Sequence, residues 1–197
     1  FLATTSESEF QDPQEAFRLA SRAVEIKPEN WSYWDTLAVA AHACENWDES
    51  LRANEETLKL KPDRTVNLLY LAIAQAKLGG LEQAKDHYLQ AAGNAKSKNE
   101  IELRDEAEQL LGIDAIQRDE LIAAYYSDPP PADARVRYWQ DRGRWHHDKR
   151  EYESSVADLT KAIQLDPKSH AAFDMLALTQ NELQQYESAA DDATRAI

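Results

Sequence analysis

Apolar residues recur every three or four positions along most of the chain, which is the spacing of one face of an α-helix. An early stripe contains Trp34, Leu37, Ala38 and Ala41. A second stripe of the same period follows a short polar break and ends before Pro62, whose ring lacks an N–H and disfavours helix in the residue before it. The pattern therefore predicts two amphipathic helices that are joined by a short turn and ended by proline.

The same two-helix pattern recurs along the chain. The segments AVEIKP, TLKLKP and AIQLDP each end a predicted second helix. The prolines of the first two segments, Pro28 and Pro62, are 34 residues apart (62 − 28). A fixed period of this length is typical of stacked helical hairpins. Units of 34 residues then start at Trp31, Thr65, Val136 and His170.

Small side chains occupy three fixed positions of these units, as two helices require where they approach closely. Position 8 holds Ala38, Ala72, Gly143 and Ala177, position 20 holds Ser50, Ala84, Ser155 and Ala189, and position 27 holds Thr57, Ala91, Ala162 and Ala196. Bulky side chains fill position 4 (Trp34, Leu68, Trp139, Phe173) and position 17 (Trp47, Leu81, Tyr152, Tyr186). We expect an all-α protein with helices near 12–26, 31–45, 48–61, 65–78, 81–93, 100–111, 136–149, 152–165, 169–183 and 186–197.

These positions, with proline at position 32, resemble the tetratricopeptide repeat. The resemblance covers about residues 31–92 and 136–197 and implies an α-solenoid of antiparallel helix-turn-helix repeats, wound as a right-handed superhelix. The chain departs from the family at Arg142, where Leu is usual at position 7, and in lacking Gly in three of four inter-helix turns. Residues 107–113, AEQLLGI, also resemble repeat regions attached to bacterial Ser/Thr kinases and related signalling proteins.

The repeat register divides the chain into three parts. The first, residues 1–113, holds a partial repeat (1–30), repeats 31–64 and 65–98, and an extra helix over 100–112. The last, residues 136–197, holds repeats 136–169 and 170–197, the second of them truncated. Between them, residues 114–135 contain a weak helical pattern followed by three prolines, so this part is either a degenerate repeat, which we favour, or a hinge.

Composition and charge narrow the possible functions. A hydrophobic content of 43% supports a folded core, while a formal charge of −14 argues against a nucleic-acid partner, which needs clustered Lys and Arg. No apolar run is long enough to span a membrane, and neither a signal peptide nor a disulfide framework is visible, so we expect a bacterial cytoplasmic protein without membrane contact. Because the chain starts at Phe1, we also expect it to be a piece of something longer.

No pattern of catalytic or metal-binding residues emerges. His146 and His147 are adjacent and point about 100° apart on a helix, so they do not share one ion easily. Cys44 has no Cys-x-x-Cys partner and is best interpreted as a packing thiol. The five tryptophans fall largely on packing positions rather than in a ligand cage. We therefore predict a protein that is not an enzyme and holds no cofactor or metal.

The family resemblance implies a peptide-binding groove lined by positions 2, 5, 6, 9, 12 and 13 of each unit. On this sequence the candidate groove residues are Val39, Leu69, Tyr70, Ile73, Lys77, Arg137, Gln140 and Arg144. We expect Tyr70 and Ile73 to be exposed as apolar anchors, with Arg144 placed to meet a carboxylate of the partner. The lysine–asparagine clamp that binds chaperone tails in this family is absent, since Asp35 and Val39 stand at two of its positions.

Two classes of function fit these features. The first is a scaffold that binds a protein or peptide segment with apolar anchors and some basic character, because the surface is acidic. The second is a structural spacer or self-association module within a larger protein, with homo-oligomers formed through exposed ends of the solenoid.

Overall fold

The computed structural model describes residues 12–62, 64–127 and 136–195, with side chains up to Gln184. Within these residues the protein consists of α-helices without any strand, which confirms the all-α prediction. The helices are α1 (Pro13–Ile26), α2 (Trp31–Ala43), α3 (Trp47–Leu60), α4 (Thr65–Lys77), α5 (Leu81–Ala92), α6 (Lys98–Leu111), α7 (Ala115–Tyr125), α8 (Val136–Asp148), α9 (Tyr152–Leu165) and α10 (His170–Arg195). They fall into unit 1, Phe1–Tyr125, and unit 2, Tyr126–Ile197, and each unit is described by itself.

The hairpins of unit 1 are held by small residues at the helix contacts. Helices α2 and α3 pack along each other, as do α4 and α5, and each first helix also packs on the second helix before it. Ala38 and Ala72 at position 8, and Ser50 and Ala84 at position 20, have no exposed surface at all. Because these side chains are short, the helix backbones approach closely and the larger neighbours fill the remaining space.

The turn inside each hairpin uses one residue in the left-handed conformation. Position 15 is Glu45 (φ 55°) in the first full unit, Gly79 (φ 86°) in the second and Arg150 (φ 63°) in unit 2. Glycine adopts this conformation at little cost, whereas Glu and Arg are held there by the packing on both sides. The turns at Glu45 and Arg150 therefore form although glycine is absent from position 15.

The predicted break in the last repeat is wrong. We expected helices over 169–183 and 186–197, but α10 continues without interruption from His170 to Arg195, and residues 196–197 lie outside the described part. Position 15 of this repeat is Gln184, and Gln184 and Gln185 are good helix formers, with no Gly anywhere in residues 170–197 to favour a turn.

An unbroken α10 leaves part of its own first half uncovered. Phe173 at position 4 is 47% exposed and Ala177 at position 8 is also exposed, although Trp34 and Ala38 are buried at the same positions of the first full unit. In the earlier repeats the second helix of the hairpin folds back over these two positions. The continuous course of α10 removes that cover in the described part of the helix.

Helix α6 departs from the regular stacking. It packs mainly on α4 and only slightly on α5, whereas α2 and α4 each pack extensively on the second helix that precedes them. Tyr88 of α5 donates a hydrogen bond from its hydroxyl to Glu108 Oε1 at 2.9 Å, which anchors the far end of α6. The helix begins at a capping box between Ser97 and Glu100 and ends at Gly112 in the left-handed conformation (φ 68°).

The region between the repeat blocks is only partly described. Helix α7 accounts for residues 115–125 and makes a few contacts with α5, while Arg118 reaches Glu108 of α6 at 3.6 Å. Residues 128–135, which hold the three prolines, lie outside the described part of the chain. That residues 114–135 form a degenerate repeat rather than a hinge stays a prediction.

Unit 2 replaces an aliphatic packing contact by a buried ion pair. The guanidinium of Arg142 on α8 donates two hydrogen bonds to Asp158 on α9, at 2.7 Å and 2.6 Å, and both side chains are more than nine-tenths buried. Beside them, a Cβ on Gly143 would lie 2.8 Å from Leu159 Cγ, so the Leu159 side chain occupies the space that a side chain at position 143 would need. The unusual Arg at position 7 is thus explained by its partner at position 23.

We predict that Ala72→Leu destabilises unit 1 by about 1–3 kcal/mol, because the added side chain overpacks a contact without free space. The exposed control Lys85→Ala should change the free energy of unfolding by less than about 0.5 kcal/mol. Urea unfolding followed by circular dichroism measures both. Equal effects of the two substitutions would contradict the repeat register.

For unit 2 we predict that Asp158→Ala lowers the free energy of unfolding by about 3–5 kcal/mol, since it leaves Arg142 buried without its main partner. The double variant Arg142→Leu with Asp158→Ala, which restores the usual Leu at position 7, should recover most of that loss. Thermal and urea unfolding of the two variants and the parent supply the comparison. A double variant as unstable as the single one would show that the ion pair is not the reason.

Candidate functional site

The main candidate site is a pocket of about 490 Å³ on the first-helix side of unit 1. It is lined by residues of α2 and α4, by the residue that precedes α4, and by the start of α6. These residues are Asp35, Val39, Arg64, Val66, Tyr70, Ser97, Asn99 and Glu100. Every helix that contributes is a first helix or stands in the place of one, so the pocket lies on the face where the family resemblance implies a groove.

A buried polar network supports one wall of the pocket. Asn67, fully buried on α4, donates from Nδ2 to Asp35 Oδ1 on α2 and to Asn54 Oδ1 on α3, both at 2.8 Å. Asn54 donates in turn to the Ser50 carbonyl at 2.8 Å. Since each of these buried groups has a partner, the network fixes the register of three helices instead of destabilising the core.

Arg64 closes this network on the pocket side. Its Nη2 donates to Asp35 Oδ2 at 2.7 Å, its Nε donates to Asn67 Oδ1 at 3.0 Å, and its guanidinium lies 5.0 Å from the centre of the Trp31 ring. A planar, delocalised cation suits such a position between a carboxylate and an aromatic ring. The Arg64 side chain is thereby held against the pocket wall.

Tyr70 forms the back of the pocket and is not the exposed anchor that we expected. Its side chain is only 5% exposed, and burial, together with the charges of Asp35 and Glu106, raises the pKa of its hydroxyl to about 12. The Asn99 side chain hydrogen-bonds to that hydroxyl from the start of α6. Tyr70 is therefore a neutral structural wall at every physiological pH.

The expected exposure of Ile73 is wrong for the same reason. Leu69 and Ile73 on α4 have no exposed surface, since α6 packs on the α4 face where a regular repeat would leave a groove. Val39 is half-buried and lines the pocket, and Lys77 is exposed with its Nζ 5.2 Å from the centre of the Trp47 ring.

The remaining predicted groove residues belong to unit 2. Arg137 donates from Nε to Asp141 Oδ2 at 3.2 Å, Gln140 donates to the Ser169 hydroxyl, and Arg144 is half-buried. Their expected role in a binding groove stays a prediction.

Six of the eight residues that line the pocket were not among the predicted groove residues, namely Asp35, Arg64, Val66, Ser97, Asn99 and Glu100. Arg64 precedes α4 and is not a groove position, while Asn99 and Glu100 reach the pocket because α6 is displaced from the regular stacking. One signal was present: Ser97 and Glu100 have the spacing of a capping box, which would have placed the start of this helix at Lys98.

A histidine lies at the junction of α2, α4 and α6, next to the pocket. The His42 ring contacts the rings of Trp47 and Tyr70 edge-on, with centroids 5.4 Å and 4.9 Å apart, and its Nε2 is 3.7 Å from Glu106 Oε2. Its Nδ1 is buried and makes no hydrogen bond within the described residues. Burial lowers the pKa of His42, with Lys77 adding to the decrease and Glu106 and Glu45 opposing it.

The tryptophans are covered by the protein's own cations. Each of the five indole rings has a Lys or Arg side chain 4.0–5.2 Å from its centre. The pairs are Arg52–Trp34, Arg64–Trp31, Lys77–Trp47, Arg142–Trp139 and Lys149–Trp145. Because each tryptophan ring already contacts a cation of the protein, these rings do not form an aromatic cage for the cation of a ligand.

Neither a metal-binding cluster nor a membrane-spanning helix occurs in the described part of the chain. It contains no group of three or more His, Cys, Asp or Glu side chains arranged to hold a metal ion. None of the described helices combines the length and apolar character needed to cross a membrane. Cys44 is half-buried and unpaired, and burial raises the pKa of its thiol, which disfavours the reactive thiolate.

Comparison with known proteins identifies one repeat directly. Residues 136–169 match the model of the tetratricopeptide repeat, with the 34-residue register assigned above. A segment of 75 residues is 37% identical to the beta-barrel assembly-enhancing protease of Escherichia coli K12, with the same identity to the proteins of Shigella flexneri and Escherichia coli O157:H7. The match covers 37% of this chain but only 15% of each of those proteins.

One solved structure resembles the chain over most of its length. The crystal structure of the APC/C hetero-tetramer Cut9–Hcn1 contains a chain that aligns with 93% of this one at 16% identity, with a TM-score of 0.44. The alignment covers 36% of that chain. The resemblance of residues 107–113 to kinase-attached repeat regions stays a prediction.

We predict that His42 makes the stability of unit 1 depend on pH. Its pKa in the folded protein lies below the ordinary value of 6.5, so the stabilisation from the neutral ring is present above about pH 6.5 and is lost as pH falls through the lowered pKa. Wild type should therefore lose more free energy of unfolding than His42→Gln between about pH 7.5 and pH 5. Urea unfolding across this range measures the difference.

The comparison with His42→Gln is needed because burial also lowers the pKa of His87. His87 therefore adds the same pH dependence of stability to wild type and variant, and only the difference between them reports on His42. Parallel pH profiles of wild type and variant would exclude His42 as the source.

Proposed function

We propose that the protein is a non-catalytic scaffold that holds a peptide or protein segment on the first-helix face of unit 1. Tetratricopeptide repeats are protein-interaction modules, and one such repeat is identified at residues 136–169. The proposal places the ligand at the pocket between α2, α4 and the start of α6 rather than along the α4 surface, which α6 covers.

The observation that carries the proposal is the construction of the pocket. Val39 and Val66 remain half-buried at an opening of about 490 Å³, and a buried hydrogen-bond network holds the wall behind them. Pre-formed pockets of about 300–1,000 Å³ with apolar walls and a few fixed polar groups are the usual form of a binding site. A rigid wall also reduces the entropy that is lost when a ligand binds.

The acidic charge of the chain supports a partner with basic residues near its anchor. A net charge of −14 attracts a basic segment over distances up to about 10 Å at moderate salt, which speeds encounter more than it strengthens the final complex. Basic residues of the partner would then flank the pocket.

A second candidate function is self-association through α10. Phe173 and Leu178 are 47% and 46% exposed on this helix, which is unusual for large apolar side chains of a repeat. Light scattering over a range of protein concentrations tests this candidate. A molar mass that stays that of a monomer at every concentration would exclude it. A mass that increases with concentration in the wild type, but not in Phe173→Asp, would support it.

We predict that Val66→Glu weakens the binding of a peptide selected from a random 12-residue library against the intact chain by at least about tenfold. The substitution places a charge and a longer side chain in the pocket, while Glu in the first turn of α4 remains compatible with the helix. Calorimetric titration of both proteins measures the change.

The matched control is Ile116→Glu. Ile116 is also the second residue of its helix, is 72% exposed and lies outside the pocket, so peptide affinity should be unchanged. Selected peptides that bind Val66→Glu as tightly as the parent would move the site away from this pocket.

A further inference from the structure

The charged groups around the pocket are satisfied by the protein itself. Both carboxylate oxygens of Asp35 accept hydrogen bonds, one from Arg64 and one from Asn67. A ligand cation at Asp35 would have to displace Arg64 from a partly buried ion pair, and a ligand anion at Arg64 would have to displace Asp35. Neither exchange brings a clear gain, since the incoming charge loses its own hydration as well.

Glu100 is engaged in the same way. Its Oε2 accepts hydrogen bonds from the backbone N–H of Ser97 at 3.0 Å, from the Ser97 hydroxyl at 2.9 Å and from the backbone N–H of Lys96 at 3.2 Å. The bond from the Ser97 N–H, together with the bond that the Glu100 N–H donates to the Ser97 hydroxyl, forms the capping box that starts α6. A ligand that pulled Glu100 away would therefore also destabilise the first turn of the helix that borders the pocket.

The rest of the lining is uncharged. Val39 and Val66 present aliphatic surface, and Tyr70, with its hydroxyl bonded to the Asn99 side chain, closes the back. An aliphatic side chain that enters this space removes apolar surface from water on both molecules without breaking any existing polar contact. The exposed Asn99 side chain lies at the rim of the pocket. The backbone of an extended peptide bound there would offer both hydrogen-bond donors and acceptors to its amide.

From this arrangement we propose that the pocket binds one uncharged aliphatic side chain of an extended peptide segment and rejects Lys, Arg, Asp and Glu at that position. This inference rests on the proposed function and specifies its ligand. The basic residues that suit the acidic surface would flank the anchor and would not enter the pocket.

Two peptide fragments that differ in one group test the inference. N-acetyl-norleucine methylamide and N-acetyl-lysine methylamide share a backbone and a four-carbon stem, and only the second carries an ammonium. Each is titrated into the intact chain, together with the glutamate analogue, and the methyl resonances of Val39 and Val66 are followed by NMR. Norleucine should shift these resonances with an affinity at least tenfold higher than lysine or glutamate. Val66→Glu should abolish the shift of the Val39 methyl resonances, while Ile116→Glu should preserve it.

The outcomes separate this inference from the proposed function. If the lysine or glutamate fragment perturbs Val39 and Val66 as strongly as norleucine, the inference is overturned, although the pocket remains a binding site. If no fragment acts there while Val66→Glu still weakens the library-selected peptide, the inference is again overturned and the scaffold proposal stands. Only a selected peptide that is insensitive to Val66→Glu would overturn the proposed function.

Discussion

The close approach of two helices at positions 8 and 20 is the constraint on which the rest of the structure depends. Ser155 donates from its hydroxyl to the Gly143 carbonyl at 2.7 Å, so these two positions meet directly across the hairpin of unit 2. In unit 1 the same positions hold Ala and Ser without exposed surface. Only short side chains allow this distance, and once it is fixed, the aromatic and aliphatic residues around it have one arrangement available.

The candidate site results from a departure from this regular packing. Because α6 lies on α4 instead of α5, it buries Leu69 and Ile73 and brings Asn99 and Glu100 to the edge of a pocket with Asp35 and Val39. A regular third repeat would have left a longer, shallower groove. With α6 in its displaced position, a smaller pocket with defined walls takes the place of that groove. Such a pocket suits one side chain of a bound peptide better than an extended apolar contact.

Polar groups in the two units illustrate different solutions to burial. In unit 1, neutral amides of Asn54 and Asn67 connect three helices through Asp35, and the charge pair that joins this network, Arg64 with Asp35, keeps partial contact with water. In unit 2, Arg142 and Asp158 are both almost completely buried at a hairpin contact. The first arrangement fixes register at low cost, whereas the second depends on both partners and on the geometry of two parallel hydrogen bonds.

The sequence by itself determined the helical hairpins, because a period of 3.6 residues, a 34-residue repeat and proline stops are local properties of the chain. It also identified Val39 and Tyr70 as residues of the first-helix face. It could not place α6, since the choice between packing on α4 and on α5 depends on contacts between residues of different repeats. It could not show that α10 runs through Gln184, where helix propensity outweighed the repeat pattern. The tertiary structure alone decided which groove positions stay accessible, because burial depends on which neighbour covers a face, and no spacing within one helix encodes that neighbour.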